Sequence, residues 1–287
     1  METKLLFLHA ITPLHAGTGR GVGVIDLPIA REKGSDLPII PGSSVKGVLR
    51  DASPDDARVA VFGPETNSAH EHASSAMFTD LRLLLLPVRS LAGTFAWVTC
   101  PFILRRLLRD ANNMGMDVSN LSLPNLGDEQ ETSAVSAQAT ALKVDDEHVV
   151  LEDLLLSASG QGEVDAWAQW LAPILFPTDT DWQNILAQRL CVVQDDVMRY
   201  LMQVGLDVTA RIKLKDDSKT VKKGGLWYEE ALPAETIMAG MVVATQIKAV
   251  GAAPKQVFDT LTHIMQKPLQ VGGNATVGRG ICVMHLV

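Results

Sequence analysis

Two glycine-bearing polar runs lie close together behind an apolar strand at the start of this chain. Residues 15–26 read His15-Ala16-Gly17-Thr18-Gly19-Arg20-Gly21-Val22-Gly23-Val24-Ile25-Asp26. Residues 38–50 read Pro38-Ile39-Ile40-Pro41-Gly42-Ser43-Ser44-Val45-Lys46-Gly47-Val48-Leu49-Arg50. Glycine has no Cβ, so the first run can bring its backbone close to another molecule. The second run opens a short helix carrying Lys46 and Arg50 beside the hydroxyls of Ser43 and Ser44. Free backbone N–H groups at such a start favour a phosphate. The two runs imply a surface for a phosphate-rich chain such as RNA, with a histidine (His15) and a carboxylate (Asp26) beside it.

Net charge bears on that reading. The 287 residues carry a formal charge of −8, which disfavours an indiscriminate nucleic-acid binder, because counterion release needs Lys and Arg. The charge is unevenly spread, however. Ten acids between Asp110 and Asp153 face the single base Lys143, whereas six bases between Arg211 and Lys223, Lys222 and Lys223 among them, face only Asp216 and Asp217. A chain patterned this way can bind a polyanion locally while remaining acidic in total. No apolar run approaches the ~18 residues of a membrane span, and the start of the chain has no signal-peptide pattern. The three cysteines, Cys100, Cys191 and Cys282, are widely spaced and odd in number, as expected for a reducing cytoplasm without a disulfide framework.

Periodicity predicts an α+β chain, mostly antiparallel, with strands at both ends. Leu5–Ala10 reads as a strand, followed by the glycine loop and a second apolar stretch over 22–30. Ser43 is placed to cap a helix whose apolar face is Val45, Val48, Leu49 and Ala52. Lys46 and Arg50, four apart, share its other face. Residues 78–90 and 94–99 read as buried strands. Pro101 suits the first position of a helix through Asp110, from which Arg105, Arg106 and Arg109 project. Residues 112–147 have weak periodicity and read as a mobile insert. The Trp167/Trp170 stripe marks a helix over 163–175 with a core-facing side, and a second helix is expected over 181–204. Residues 208–214 and 226–232 read as a long hairpin joined by a basic turn through Gly224-Gly225. Residues 241–249 predict a strand, 254–266 a helix and 281–287 a last strand behind the loop 272–280.

Taken singly, these features have plain readings. Gly42-Ser43-Ser44-Val45-Lys46-Gly47 fails the phosphate-loop pattern of nucleotide-binding enzymes, because Lys precedes Gly. The loop Gly272-Gly273-Asn274-Ala275-Thr276-Val277-Gly278-Arg279-Gly280 serves equally as a turn needing positive φ. Asp26 can start a turn before Pro28, His15 can satisfy a loop carbonyl, and Glu229-Glu230 can end an exposed strand. His70-Glu71-His72 lacks the spacing and third ligand of a zinc site.

In combination they resemble a known family. The early Pro-Gly-Ser-Ser-Val-Lys-Gly-Val-Leu-Arg run and the glycine loop before the last strand are similar to those of the RAMP superfamily of CRISPR proteins. His15–Gly19, the 22–29 run, Thr79-Asp80, Leu85–Ser90, Gly93–Pro101 and Leu226–Pro233 resemble the repeated backbone subunit of type III-B (Cmr) effector complexes. The similarity runs from end to end except over 112–147.

The resemblance implies a single domain over 1–287 with a ferredoxin-like (RRM-like) palm built on an antiparallel sheet. It also implies an inserted lid at about 105–165 and a hairpin thumb at about 208–230 that displaces nucleotides at regular intervals. Copies would stack helically on a guide (crRNA) together with other CRISPR effector subunits, held through Gly17, Gly19, Ser43, Ser44, Lys46, Arg50, Lys222, Lys223, Gly272, Gly273, Asn274, Gly278 and Arg279. Paired target RNA would be cut beside each displaced nucleotide through Asp26, supported by His15 and Glu229 or Glu230. RNA carries its own nucleophile, the 2′-hydroxyl, so the site need only orient it, take its proton and stabilise the phosphorane. Asp26 can serve as general base or as ligand to Mg²⁺ or Mn²⁺ held weakly without RNA. A non-catalytic guide-coating subunit is the alternative expectation.

Overall fold

The computed structural model describes all residues except 20, 22, 65–71, 128–130 and 248–251, and the side chain of residue 56. His70 and Glu71 therefore lie outside the described residues, as do Arg20 and Val22 of the first glycine run. The chain alternates strands β1 (Glu2–Ala10), β2 (Ile39–Ile40), β3 (Ala76–Phe78), β4 (Leu81–Arg89), β5 (Phe95–Thr99), β6 (Thr132–Ser136), β7 (His148–Leu151), β8 (Leu154–Gln161), β9 (Leu190–Val193), β10 (Asp207–Leu214), β11 (Val221–Ala231), β12 (Ile237–Ala244), β13 (Leu269–Gln270) and β14 (Ile281–Leu286). Helices α1 (Gly42–Asp51), α2 (Asp55–Phe62), α3 (Pro101–Asn113), α4 (Gly162–Leu175), α5 (Thr180–Arg189), α6 (Asp195–Val204) and α7 (Pro254–Ile264) lie between them.

Among the described residues, twelve strands form one sheet: ten follow the path β13-β14-β1-β12-β4-β5-β9-β6-β8-β7, β2 pairs with β4 and β3 with β12 beside it, and β10 and β11 pair as a separate two-stranded sheet. Within the path, β14-β1-β12-β4 is fully antiparallel. Strand β1 reaches β4 through α1, and β12 reaches β14 through α7, so β1 and β12 lie in the middle of four strands. That is the split β-α-β order of a ferredoxin-like palm. Strand β4 carries the sheet onward: its first half pairs with β12 and its second half with β5. The remaining pairings are mixed, with β5/β9 and β6/β8 parallel and β6/β9 antiparallel. Leu5, Phe7, Leu83, Trp97 and Trp167 are buried in one continuous core. The tryptophan stripe of α4 is core, as its spacing predicts, with the Trp167 indole N–H donating to Ser122 O at 2.9 Å.

Several local expectations are corrected. The helix foreseen over 181–204 is two helices divided by β9, whose four residues are all buried. Leu-Cys-Val-Val is buried on both faces of the sheet, and so short an apolar run carries no period that separates helix from strand. Residues 112–147 supply β6 to the sheet interior rather than a structureless insert. Its Thr-Ser-Ala-Val-Ser sequence hides the strand because buried polar atoms are satisfied by partners distant in sequence: Ser133 Oγ donates to Ser157 O at 3.1 Å, and Ser136 Oγ donates to Asp165. The expected 78–90 strand breaks at Thr79-Asp80 into β3 and β4. Ser43 does not cap α1. Pro41 occupies the N-cap, and Asp80 Oδ1 instead accepts from Gly42 N–H at 2.9 Å. In the second apolar stretch Leu27 and Ile29 form isolated bridges, and β11 begins at Val221, inside the expected turn.

Candidate active site and RNA-facing cleft

The two glycine loops meet around His15. The backbone of β1 runs on through Leu14, which exchanges hydrogen bonds with Leu232 at 2.8 and 2.9 Å, so His15 arrives beside the base of the hairpin. Its Nδ1 lies 2.6 Å from Glu230 O. A carbonyl can only accept, so Nδ1 carries the proton and Nε2 is the basic nitrogen. Its backbone carbonyl accepts from Gly273 N–H at 2.9 Å, and Pro13 O accepts from Gly280 N–H at 2.9 Å. A Cβ at Gly17 would stand 2.4 Å from His15 Nε2, and one at Gly272 would stand 2.4 Å from His15 O. Gly272 also sits at φ +80°. Both positions exclude a side chain, so the buried imidazole is wedged between the loops.

Asp26 is pinned to the hairpin. Tyr228 N–H donates to Asp26 Oδ2 at 2.8 Å, Leu27 N–H to Tyr228 O at 3.0 Å, and Glu230 N–H to Leu27 O at 3.0 Å. Residues 26–27 thus run briefly parallel to β11, which leaves the Asp26 carboxylate exposed. It borders an open cleft of about 370 Å³ whose other walls are Leu27, Gly224, Leu226, Trp227 and Glu229.

The two neighbouring glutamates differ from Asp26. Glu229 is 5% exposed and its carboxylate is fully engaged. Trp227 Nε1 donates to Oε1 at 2.8 Å, and Arg211 Nε and Asn274 Nδ2 donate to Oε2 at 3.2 and 3.0 Å. Burial pushes the Glu229 pKa up, but the Trp227 and Arg211 hydrogen bonds, with the charges of Arg211 and Arg279, outweigh it and hold it below the usual range. Glu230, also 5% exposed, accepts from Ile29 N–H at 3.0 Å and pairs with Arg31 Nη2 at 2.7 Å. Both glutamates hold the architecture: Glu229 ties the hairpin to the Gly272–Gly280 loop, and Glu230 ties it to the segment following Asp26.

Gly17, Gly19, Gly272, Gly273 and Gly278 are exposed and Asn274 half-buried around His15, and Lys222 and Lys223 are exposed near the hairpin tip. Ser43, Ser44, Lys46 and Arg50 lie on α1, which packs on β3 and α2. Burial and the nearby Arg50 charge lower the Lys46 pKa. Arg50 donates to Gly63 O at 2.6 Å, joining α1 to the end of α2. Arg279 was expected on an RNA surface but is only 6% exposed, donating to Thr209 Oγ1 at 3.0 Å and lying 3.7 Å from Asp207. The hairpin needs a cation beneath it to hold these polar side chains. A bond that sequence reading did not foresee secures the Asp26 segment from behind: Arg106 grips Glu32 through two 2.6 Å contacts. The Arg106 hydrogen bonds outweigh burial and, with Ser35, bring Glu32 down to about 2.

As to metals, the described residues contain no cluster of three His, Cys, Asp or Glu placed to cage an ion. Glu229 and Glu230 are committed to protein donors. Of the two carboxylates that border the cleft only Asp26 is exposed, so it is the hard oxygen donor that an ion such as Mg²⁺ or Mn²⁺ would use there.

A ferredoxin-order palm, a free-standing hairpin and a glycine loop before the last strand define the architecture of a RAMP protein. The RAMP superfamily profile matches residues 7–283, and the chain belongs to that superfamily. It is 34% identical over 298 residues to the CRISPR system Cmr endoribonuclease Cmr4 of Pyrococcus furiosus, covering 100% of this chain and 96% of the relative. It is 26% identical over 309 residues to the CRISPR system CMR subunit Cmr4 of Saccharolobus solfataricus, covering 97% and 94% respectively. In structure it is similar to oligomeric Cmr4 from Pyrococcus furiosus, with a TM-score of 0.76, 25% identity, and 100% and 99% of the two chains covered.

Proposed function

We propose that this chain is a guide-RNA-binding backbone subunit of a type III-B CRISPR ribonucleoprotein, and that it cuts complementary target RNA at regular intervals as a metal-dependent endoribonuclease. The observation that carries the reading is the contrast among the acidic candidates. Asp26 is exposed at a cleft and backed by the hairpin, whereas Glu229 and Glu230 are buried and spent on protein partners. The 34% identical relative is itself named an endoribonuclease, and the similar structure is that of an oligomer, which supports a helical stack of copies alongside other effector subunits.

In this reading base pairing with the guide chooses the target, and the protein reads backbone and A-form shape. The glycine loops and the α1 bases bind the guide backbone. The hairpin, as thumb, lifts one nucleotide out of the duplex, which permits the in-line geometry that stacking forbids. The 105–165 stretch serves as the lid. Asp26 orients the linkage and takes the proton of the 2′-hydroxyl as that oxygen bonds to the adjacent phosphorus; the P–O5′ bond breaks and the leaving 5′-oxygen takes a proton from water, giving a 2′,3′-cyclic phosphate and a 5′-hydroxyl. His15 and Glu230 fix the backbone from which Asp26 projects, and Glu229 fixes the hairpin. A divalent ion at Asp26, when bound, supplies positive charge against the developing phosphorane.

Among the described residues no helix is long and apolar enough to cross a membrane. The three cysteines are free and buried, with burial raising Cys191 and Cys282 to about 12. Inert reduced thiols support a cytoplasmic setting. End-labelled complementary RNA incubated with the assembled guide complex tests the proposal. Evenly spaced products are expected, whereas target binding without cutting would leave a guide-coating structural subunit.

A further inference from the structure

We propose that the Trp227 indole is a stacking platform for a single ribonucleotide base, seated in the cleft beside Asp26. The inference rests on the RNA-binding reading above and assigns the base a place within it.

Of the five tryptophans, Trp97, Trp167, Trp170 and Trp182 lie in the core or pack against it, and Trp227 stands apart on the hairpin. In β11 Leu226 and Tyr228 are 53% and 40% exposed, Trp227 is half-buried and Glu229 buried, and Leu226, Trp227 and Glu229 all border the cleft. The half-buried indole has already given its one donor, Nε1–H, to Glu229 Oε1 at 2.8 Å. What remains for a ligand is the π-face, which every nucleobase can use and which therefore suits a site that must accept any sequence. Leu27 and Leu226 supply apolar walls, and Asp26 supplies the polar edge. Gly224, where an added Cβ would meet nothing within 4 Å, leaves the entrance clear. The volume of about 370 Å³ falls at the low end of small-ligand pockets, ~300–1,000 Å³, which matches one nucleotide rather than a stretch of duplex.

The Glu229 bond has a second consequence. It fixes the ring by its edge, so little rotamer freedom is lost when a base settles on the face. Arg211, opposite Trp227 in the hairpin register and bonded to the same carboxylate, places positive charge near the phosphate of that nucleotide.

The test measures the affinity of the full chain for a short oligouridylate and for the same oligomer without bases, by fluorescence anisotropy. Trp227→Ala is expected to weaken binding of the base-bearing oligomer about tenfold. Trp227→Phe, which loses the Nε1 bond but keeps a face, is expected to stay within about twofold of the wild type. On the abasic oligomer all three proteins are expected to bind alike. Equal loss in Phe and Ala variants, or an Ala loss that persists on abasic RNA, would mean that Trp227 acts only by holding Glu229, and would overturn the platform. A wild-type chain that binds neither oligomer would instead overturn the RNA-binding reading beneath it.

Discussion

Strands β4 and β11 are both rich in apolar residues, yet they belong to different physical regimes. In β4, Leu81, Leu83, Leu84, Leu85, Leu86 and Val88 are all buried, because helices and neighbouring strands cover both faces of the sheet. In the β10–β11 hairpin, Val208, Ile212, Leu214, Val221, Leu226 and Tyr228 are 40–53% exposed. The cross-strand pairs Ile212/Leu226 and Ala210/Tyr228 set Val208, Ile212, Leu226 and Tyr228 on one face, and Leu214 pairs with Val221 beyond a register shift. Apolar area left in water contributes nothing to folding. The sheet is built for stability, and the outer face of the hairpin is built for what it later covers, which in the proposed function is a guide–target duplex. The opposite face at the hairpin base is polar and organised, with Arg211, Trp227, Glu229 and Asn274 locked together.

Three substitutions would break or sharpen this comparison. Leu85→Ala, in the covered sheet, is expected to destabilise the protein by about 2–5 kcal/mol, as for other buried leucines, read from the urea unfolding midpoint. A smaller effect belongs to the strap between the two regions. Glu32→Gln weakens the grip of Arg106 on the segment behind Asp26 and is expected to cost about 2 kcal/mol at neutral pH. Since Glu32 is held down to about 2, its contribution is present above its ordinary value of about 4.3 and is lost as pH falls toward 2. The stability curves of wild type and Glu32→Gln should therefore converge in acid. Curves that stay parallel would show that the pair is energetically idle. Leu226→Ser, on the hairpin, is expected to move stability by less than about 0.5 kcal/mol while weakening the complex with target RNA. A stability loss comparable to that of Leu85→Ala would show that the hairpin is part of the core after all.

The same division governs what the sequence discloses. The palm strands are legible because their apolar runs are bounded by turns, and the glycine loops because glycine recurs at close spacing in each. The hairpin is legible from its alternation. Strand β6 is not, since serines fill buried positions there by bonding to Ser157 and Asp165, partners 24 and 29 residues away. Strand β9 is not, because four buried residues have no period. At the site, the resemblance singles out Asp26, His15 and the two glutamates alike, and the commitment of Glu229 and Glu230 to protein partners is not legible in it. Alternation alone puts the two glutamates on opposite faces of β11, and only the return of Leu27 alongside Glu229 buries that end of the strand. Arg279 is hidden for a related reason, as its partners Asp207 and Thr209 lie about 70 residues earlier in the chain.

The central claim is that the exposed carboxylate pinned by the hairpin, rather than the buried glutamates, performs the chemistry. Single-turnover cleavage of labelled target RNA by guide-loaded complex assembled with Asp26→Asn tests it most directly, with target affinity measured in parallel. A fall in rate of about 10²–10⁴-fold at unchanged affinity is predicted. An unaltered product ladder and rate would contradict the account.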